Sequence, residues 1–214
     1  MKAIVSVLLD RDGTIIEDKH YLGDPAGVTL LPGAAEGLAM LQRVGLELFL
    51  VTNQSGIERG YYTAEDYRAC NKAMDSFLAR EGVRLTGGAF CPHAPETACA
   101  CRKPELGMWH ELQRAYSLTP ATSAMIGDKM VDIAFGLAAG FPATILVLAG
   151  KGAAEAKKME LPPLAPDEAY RIVPAGDGLR PHAVAHTLIG AAQFILDQND
   201  RFLFNAHILS PGSE

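Results

Sequence analysis

Short apolar segments that lack polar alternation recur along the chain, and segments with helical spacing separate them. The apolar segments span residues 3–9, 46–51, 86–90, 124–126, 143–148 and 170–173. The helical patterns cover residues 32–44, 64–81, 107–116, 130–139 and 182–197. Apolar runs without alternation are typical of strands buried on both faces. The alternation therefore predicts an α/β fold with a mainly parallel sheet and right-handed crossover connections.

Composition excludes several classes of protein. The chain has 214 residues, of which 49% are hydrophobic and 21% charged, with a net charge of −6. That apolar content excludes an intrinsically disordered chain. Because no basic run exceeds two residues, we expect no nucleic-acid partner. No apolar stretch has the length of a membrane helix, and Asp10 comes too early for a signal peptide, so we expect a soluble, cytoplasmic protein.

The length predicts one domain over residues 1–214, with a core at about residues 1–150. Residues 151–214 would add a strand, a helix and a tail, and residues 151–168 within them would be a mobile excursion. The tail is apolar at Phe202, Phe204, Ile208 and Leu209. These side chains would pack on the domain itself or on a partner chain, so we expect a monomer or a weak homo-oligomer.

Polar residues follow three of the predicted strands. They are Asp10 and Asp12, Thr52 and Asn53, and Asp128. Ligands of open parallel sheets bind at the carboxyl ends of the strands. Extended residues two apart point the same way, so Asp10 and Asp12 would enter one crevice, one as a nucleophile and the other as a proton carrier. The alternative for this segment is an acidic turn that ends in a glycine.

A polar, proline-rich loop at residues 91–106 contains three of the four cysteines. Its potential metal ligands are Cys91, His93, Cys99 and Cys101. Four nitrogen and sulfur ligands with no open position suit a tetrahedral structural Zn²⁺. Free thiols beside a histidine and a catalytic zinc are the alternatives. Zinc here would also position Arg102 and Lys103, whereas Cys70 is expected to be a buried apolar side chain on a helix.

Four segments resemble the signature motifs of the haloacid dehalogenase (HAD) superfamily of phosphotransferases. LLDRDGTII at 8–16 resembles motif I, VTN at 51–53 motif II, CRKP at 101–104 motif III and IGDKMVD at 126–132 motif IV. The resemblance spans about residues 4–150. It implies a three-layer, mainly parallel, Rossmann-like sheet with a minimal cap and, here, a zinc-stabilised loop.

The HAD resemblance also implies a mechanism. Asp10 would form an aspartyl-phosphate, and Asp12 would protonate the leaving alkoxide and then deprotonate the attacking water. Thr52 would hold the phosphoryl group, and Lys103 would stabilise its oxygens. Mg²⁺ would bind between Asp10, the backbone carbonyl of Asp12, and Asp128.

Two residues of these motifs have simpler alternatives. Lys103, taken alone, would be an ordinary solvated lysine. Asp132 is either an acid in the first turn of a helix or a neighbour of the Mg²⁺ site. A doubly anionic phosphate ester needs local positive charge in a chain of net charge −6. Mg²⁺, Arg102, Lys103 and Lys129 would supply it.

The loop at residues 91–106, called the zinc loop below, and TNQSGIERG at 52–60 narrow the resemblance to the D-glycero-D-manno-heptose 1,7-bisphosphate phosphatase family. That family removes the C7 phosphate in a pathway of carbohydrate metabolism that leads to lipopolysaccharide. The resemblance therefore implies a small-molecule sugar phosphate as the binding partner of this chain. The implied substrate contacts are Arg11, Asp18, Tyr21, Asn53, Gln54, Ser55, Arg102 and Lys129. As a hypothesis we add Arg59, for the sugar or the phosphate that is not cleaved. Tyr61 and Tyr62 are expected to be packing residues.

Two other functions stay open at this point. The related histidinol-phosphate phosphatases carry the same zinc loop, so a histidinol-phosphate or general sugar-phosphate phosphatase is one alternative. A catalytically silent, zinc-containing phosphosugar-binding protein is the other. The sequence also departs from the family at LAGKG, residues 148–152, and in its long C-terminal part.

Overall fold

Seven strands form one sheet in the structure, a computed structural model that describes residues 2–208, with side chains as far as Phe204. The strands are β1 (Ser6–Leu9), β2 (Glu47–Asn53), β3 (Gly87–Cys91), β4 (Ser123–Gly127), β5 (Ala143–Val147), β6 (Tyr170–Ile172) and β7 (Ala183–Ala185). Their order across the sheet is β3-β2-β1-β4-β5-β7-β6. Every pair is parallel except β6 with β7. The predicted α/β class and mainly parallel sheet are confirmed.

Helices cover both faces of this sheet. They are α1 (Ala34–Arg43), α2 (Ala64–Arg80), α3 (Gly107–Tyr116), α4 (Met130–Ala138), α5 (Gly152–Lys158) and α6 (Leu188–Ile208). One core contains buried residues of α1, α2 and α6, and a second contains those of α3 and α4. Strand β1 alternates between the two, since Val7 and Leu9 belong to the first core and Leu8 to the second. The molecule therefore has three layers, as the sequence predicts.

Local signals explain where the helices begin. Thr63 caps α2, because its Oγ1 accepts from Asp66 N, while the Asp66 carboxylate accepts from Thr63 N. Asp132 plays the same part at α4, where its carboxylate accepts from Lys129 N at 3.0 Å. The start of α4 directly follows Asp128, so this cap also fixes the chain beside the end of β4.

Helices α1 and α6 are in close contact at Gly37. A Cβ on Gly37 would lie 2.5 Å from the backbone carbonyl of Leu188. Ala normally stabilises a helix interior by about 0.5–1 kcal/mol relative to Gly. Here we expect Gly37→Ala to lower the free energy of unfolding by about 1–3 kcal/mol, because the two backbones must separate.

Urea denaturation measures this effect, with the exposed Glu36→Ala on the same helix as the control. We expect the control to stay within about 0.5 kcal/mol of the wild type. A stabilised Gly37→Ala protein would contradict the close contact of the two helices.

The C-terminal part differs from the sequence-based expectation. The predicted helix at 182–197 was wrong at both ends, because residues 183–185 form β7 and α6 continues to Ile208. The segment Ala-Val-Ala is buried between β5 and β6, so its apolar character reflects strand pairing and not a helix face. Within the predicted excursion at 151–168 lies α5.

Phe202, Phe204 and Ile208 of the predicted tail belong to α6 and not to a separate segment. Of the two alternatives expected for the tail, packing on the domain does not hold for Phe204, which is 69% exposed. Leu209 lies outside the described residues. None of the described helices combines the length and the hydropathy that a membrane crossing requires.

Candidate active site

The carboxyl ends of β2, β1 and β4 lie side by side and open into one crevice. Residues from three predicted strand ends and from the zinc loop line it. The predicted site residues on its wall are Asp10, Arg11, Asp12, Asp18, Tyr21, Thr52, Asn53, Gln54, Ser55, Arg102, Lys103 and Lys129. Asp128 lies beneath them and is fully buried. The sequence-predicted residues are thus brought together, with Arg59 as the exception.

Lys103 contacts Asp10 in the interior of the site. Its Nζ lies 2.8 Å from Asp10 Oδ1 and 2.6 Å from Asp132 Oδ1, and it donates to the backbone carbonyl of Val51 at 2.7 Å. Burial alone would raise the pKa of Asp10, but Lys103 and then Lys129 outweigh burial and lower it to about 2. Asp10 is therefore ionised throughout the neutral range, as a nucleophilic carboxylate must be.

Three buried carboxylates lie together at this position. Ligand oxygens of Asp10, Asp128 and Asp132 all lie within 4.8 Å of one another. Burial, reinforced by the charge of Asp10, raises the pKa of Asp128 to about 7. A cation bound among these carboxylates would reduce the electrostatic repulsion between them.

Lys129 shows that the oxygens of this site can surround a cation. Its Nζ lies 2.7 Å from Asp128 Oδ1, 2.8 Å from the carbonyl oxygen of Asp12 and 3.4 Å from Asp10 Oδ2. Carboxylate and carbonyl oxygens are the ligands that Mg²⁺ prefers. Asp10, Asp128 and the Asp12 carbonyl therefore fit the predicted Mg²⁺ site.

Gly13 allows the strand ends to come this close. A Cβ on Gly13 would lie 2.1 Å from Asp128 Oδ2, and its φ of +88° is in the left-handed region. Only glycine leaves room for Asp128 and also adopts this φ without strain. The glycine of the DRDG segment is thus explained by the approach of motif I to Asp128.

Polar residues at the carboxyl end of β2 connect this strand to Lys103 on one side and to Asp12 on the other. Asn53 Nδ2 donates to the backbone carbonyl of Lys103 at 3.1 Å, and Lys103 N donates to Asn53 Oδ1 at 3.0 Å. Gln54 Nε2 donates to Thr52 Oγ1 and to Asp12 Oδ2, each at 2.8 Å. Asn53 therefore fixes the backbone of the motif III lysine, and Gln54 links the predicted phosphoryl-binding hydroxyl to Asp12.

The predicted zinc ligands converge in space. Cys91 Sγ lies 3.7 Å from Cys99 Sγ and 3.1 Å from Cys101 Sγ, and His93 Nδ1 lies 3.2 Å from Cys101 Sγ. Two sulfurs bound to tetrahedral zinc at about 2.3 Å are separated by about 3.8 Å. The four side chains therefore match the donor set and approximate spacing of a zinc site.

Arg59 is the predicted substrate contact that lies away from the crevice. Its NH2 group contacts both carboxylate oxygens of Glu96, at 2.8 and 2.9 Å. The neighbouring Glu58 accepts from Ala94 N and from Thr97 Oγ1. Arg59 and Glu58 thus attach the loop after β2 to the zinc loop.

Tyr62 and Lys151 are two of the residues that line the crevice without having been predicted as site residues. The Tyr62 hydroxyl donates to Gln54 Oε1 at 2.6 Å, although packing alone was expected of it. Lys151 lies at the crevice wall, and its backbone N donates to Asp128 Oδ2 at 2.8 Å. Lys151 follows β5, so the strand-end argument that found Asp128 could have found it.

Several proteins of known function are similar in sequence to this chain. A D-glycero-beta-D-manno-heptose-1,7-bisphosphate 7-phosphatase from Yersinia pestis is 38% identical over 157 residues, which cover 70% of this chain and 84% of the relative. A phosphatase of the same name from Vibrio cholerae serotype O1 is 40% identical over 153 residues, covering 68% of this chain and 82% of the relative. The chain belongs to the heptose-bisphosphate phosphatase family.

The fold agrees with membership of the heptose-bisphosphate phosphatase family. A family model described as "HAD-hyrolase-like" matches residues 100–173. The crystal structure of a D,D-heptose 1,7-bisphosphate phosphatase from B. bronchiseptica, complexed with magnesium and phosphate, superposes with a TM-score of 0.76 at 30% identity. The match covers 92% of this chain and 99% of the other. The HAD resemblance is confirmed, and the protein is a phosphatase.

Asp132 lies in the first turn of α4 and beside Asp10 and Asp128, so its position agrees with both alternatives that the sequence left open. Its carboxylate caps α4 through Lys129 N and pairs with Lys103 Nζ. Asn at this position keeps an oxygen for the cap but loses the negative charge. We expect Asp132→Asn to lower kcat/KM by about 10- to 100-fold, the effect of losing a charged hydrogen bond.

Asp66→Asn is the matched control, since Asp66 occupies the same capping position on α2 and lies outside the crevice. Steady-state kinetics and thermal unfolding are measured on both variants. An Asp132→Asn protein with wild-type kcat/KM would reduce Asp132 to a helix cap.

Proposed function

We propose that this phosphatase removes the C7 phosphate of D-glycero-D-manno-heptose 1,7-bisphosphate in a Mg²⁺-dependent reaction. The observation that carries the proposal is the buried contact between Lys103 Nζ and Asp10 Oδ1 at the floor of the crevice. It places an ionised carboxylate beside a fixed positive charge, which is the pairing that attack on a phosphate ester requires. The names of the relatives support the choice of substrate.

The proposed reaction has two steps. An Asp10 oxygen forms a bond to phosphorus while the bond from phosphorus to the sugar oxygen breaks, and Asp12 gives its proton to that oxygen. Asp12 then takes a proton from water, which attacks phosphorus and releases Asp10. Thr52 and Lys103 would hold the phosphoryl oxygens throughout. Mg²⁺, when bound by Asp10, Asp128 and the Asp12 carbonyl, would neutralise charge on the phosphoryl group.

The remaining substrate contacts are also proposals. Arg102 and Lys151 line the crevice and would meet the phosphate that is not cleaved. Lys129 and Lys151 each lie near Asp18, with Nζ to Oδ2 distances of 3.9 and 3.8 Å. A phosphate group of the substrate would therefore meet two lysines that share one half-buried carboxylate, that of Asp18.

We propose structural zinc at the Cys91–His93–Cys99–Cys101 cluster and treat residues 1–214 as one catalytic domain. The four convergent ligands support the first proposal. Strands β6 and β7, which continue the sheet beyond β5, support the second. A cytoplasmic location is part of the proposal, because thiolate zinc sites persist where cysteines stay reduced.

A panel of phosphate esters tests the substrate assignment. It contains both anomers of the heptose 1,7-bisphosphate, the heptose 7-phosphate and histidinol phosphate, all assayed with Mg²⁺. We expect kcat/KM for one bisphosphate anomer to exceed that for the monophosphates by about 10- to 100-fold, because a second charged contact is lost without the other phosphate. Comparable kcat/KM for histidinol phosphate and the bisphosphate would overturn the assignment.

A further inference from the structure

The side chain of Arg11 lies in the protein interior, although its position in motif I suggested a substrate contact. It is 1% exposed. Its guanidinium carbon lies 5.0 Å from the centre of the Tyr67 ring, and its NH1 donates to Asn71 Oδ1 at 2.9 Å. Both partners belong to α2. A planar, permanently charged group is thus held on one face by an aromatic ring and at one edge by an amide.

The other edge of the guanidinium holds Asp12. Arg11 Nε lies 3.1 Å from Asp12 Oδ2, and Arg11 NH2 lies 3.1 Å from Asp12 Oδ1. Parallel contacts of this kind fix the plane of a carboxylate as well as its distance. The Asp12 side chain is 20% exposed, so it remains open to the crevice while Arg11 holds it from the interior.

Gln54 completes the arrangement. Its Oε1 accepts from Arg11 NH2 at 3.1 Å, and its Nε2 donates to Asp12 Oδ2 at 2.8 Å. The same Nε2 donates to Thr52 Oγ1. Two side chains, Arg11 and Gln54, therefore hold the Asp12 carboxylate, and Gln54 also binds the hydroxyl that would hold the phosphoryl group.

A buried ion pair adds little net stability, because desolvation offsets the attraction between the charges. Orientation of a reacting group, in contrast, is worth a great deal: a displacement of about 1 Å can cost about 100-fold in rate. We propose that Arg11 is a positioning residue that fixes the Asp12 carboxyl beside the leaving oxygen. In the protonated state in which Asp12 acts as the acid, Arg11 would keep its contact with the carboxyl oxygen that does not carry the proton. The inference rests on the proposed role of Asp12 as the acid.

A comparison of substrates with different leaving groups distinguishes a positioning role of Arg11 from a general structural role. A sugar alcohol must receive a proton as it leaves, whereas 4-nitrophenolate leaves as a stable anion. Rapid-quench and stopped-flow measurements of the first turnover report leaving-group release for the sugar bisphosphate and for 4-nitrophenyl phosphate. For Arg11→Met we expect this rate to fall by about 100-fold with the sugar phosphate and by less than about threefold with the aryl phosphate.

Two further variants keep the test decisive if Arg11→Met does not fold. Arg11→Lys keeps the charge without the two-point contact, and we expect it to restore less than half of the lost rate. Asn71→Ala releases one edge of the guanidinium, and we expect a smaller loss that is again confined to the sugar phosphate. Arg68→Met is the control, because Arg68 lies on the same helix, is exposed and pairs only with Glu65 among the described residues.

Asp12→Asn is measured in parallel. One outcome is that Asp12→Asn slows the sugar phosphate more than the aryl phosphate while the Arg11 and Asn71 variants slow both esters alike. In that case the positioning role of Arg11 is wrong and the proposed acid stands. If Asp12→Asn slows both esters equally, the proposed acid itself is wrong. Equal losses on both esters in Arg11→Met would likewise overturn the positioning role, as would full restoration by Arg11→Lys.

Discussion

Replacing Asp10 by asparagine is expected to lower kcat for phosphate release by about 10⁴-fold, because the nucleophile is lost while the fold is kept. Asn has the same shape, and its amide oxygen can still accept from Lys103 Nζ. Acid-quenched wild-type enzyme should contain a phosphate bound to Asp10 that hydroxylamine removes. The Asp10→Asn enzyme should contain none.

The exposed Asp75→Asn on α2 is the matched control, with the same chemical change outside the crevice. Peptide mass spectrometry verifies that the new asparagine has not deamidated to aspartate. Equal rates of phosphate release for wild type and Asp10→Asn would refute Asp10 as the nucleophile.

Cys101→Ser is expected to have the second largest effect. Cys101 lies two residues before Lys103, and its Sγ contacts those of Cys91 and Cys99. Loss of this ligand should weaken zinc binding by more than about 100-fold, since even loss of a group behind a ligand costs about 10- to 100-fold. Zinc content, measured by mass spectrometry of the metal, should fall from one ion per chain to below about one tenth.

The same variant should lower kcat/KM by about 100-fold, because the loop that carries Lys103 loses its fixed position. Cys70→Ser is the control, since Cys70 is buried on α2 and its Sγ lies 3.7 Å from the Leu22 carbonyl, outside the cluster. A Cys101→Ser protein that keeps one zinc ion would contradict the site. One that loses zinc but keeps its kcat/KM would show that zinc does not position Lys103.

Sequence reasoning predicted the site best where chemistry and topology coincide. Asp10 and Asp128 directly follow buried strands and Thr52 lies near the end of one, and parallel strands bring such residues to one edge of the sheet. The convergence of the four potential zinc ligands was predictable because these cysteine and histidine side chains lie within one short loop. These residues could be found without knowing any side-chain direction.

Residues whose role depends on side-chain direction were not predictable in this way. Arg11 and Arg59 were both predicted to contact the substrate, yet Arg11 turns towards α2 and Arg59 pairs with Glu96. Tyr62 was expected only to pack, and its hydroxyl contacts Gln54. The partners of Arg11 and Arg59 are 60 and 37 residues away in the sequence, which no local pattern reveals.

The boundaries at the C-terminus failed for a different reason. Strand β7 has three residues, too few to show a period of two. Its identity as a strand comes from pairing with β5 and β6, a tertiary effect that overrides the helical propensity of alanine.

The contacts of Glu58 and Arg59 with the zinc loop bear on how such enzymes can be re-engineered. A graft that exchanged only residues 91–106 would leave the Glu58 carboxylate without Ala94 N and Thr97 Oγ1, and Arg59 without Glu96. It would also separate Asn53 from the Lys103 backbone. The loop after β2 and the zinc loop would therefore have to be transplanted together in order to transfer the substrate preference of one such enzyme to another.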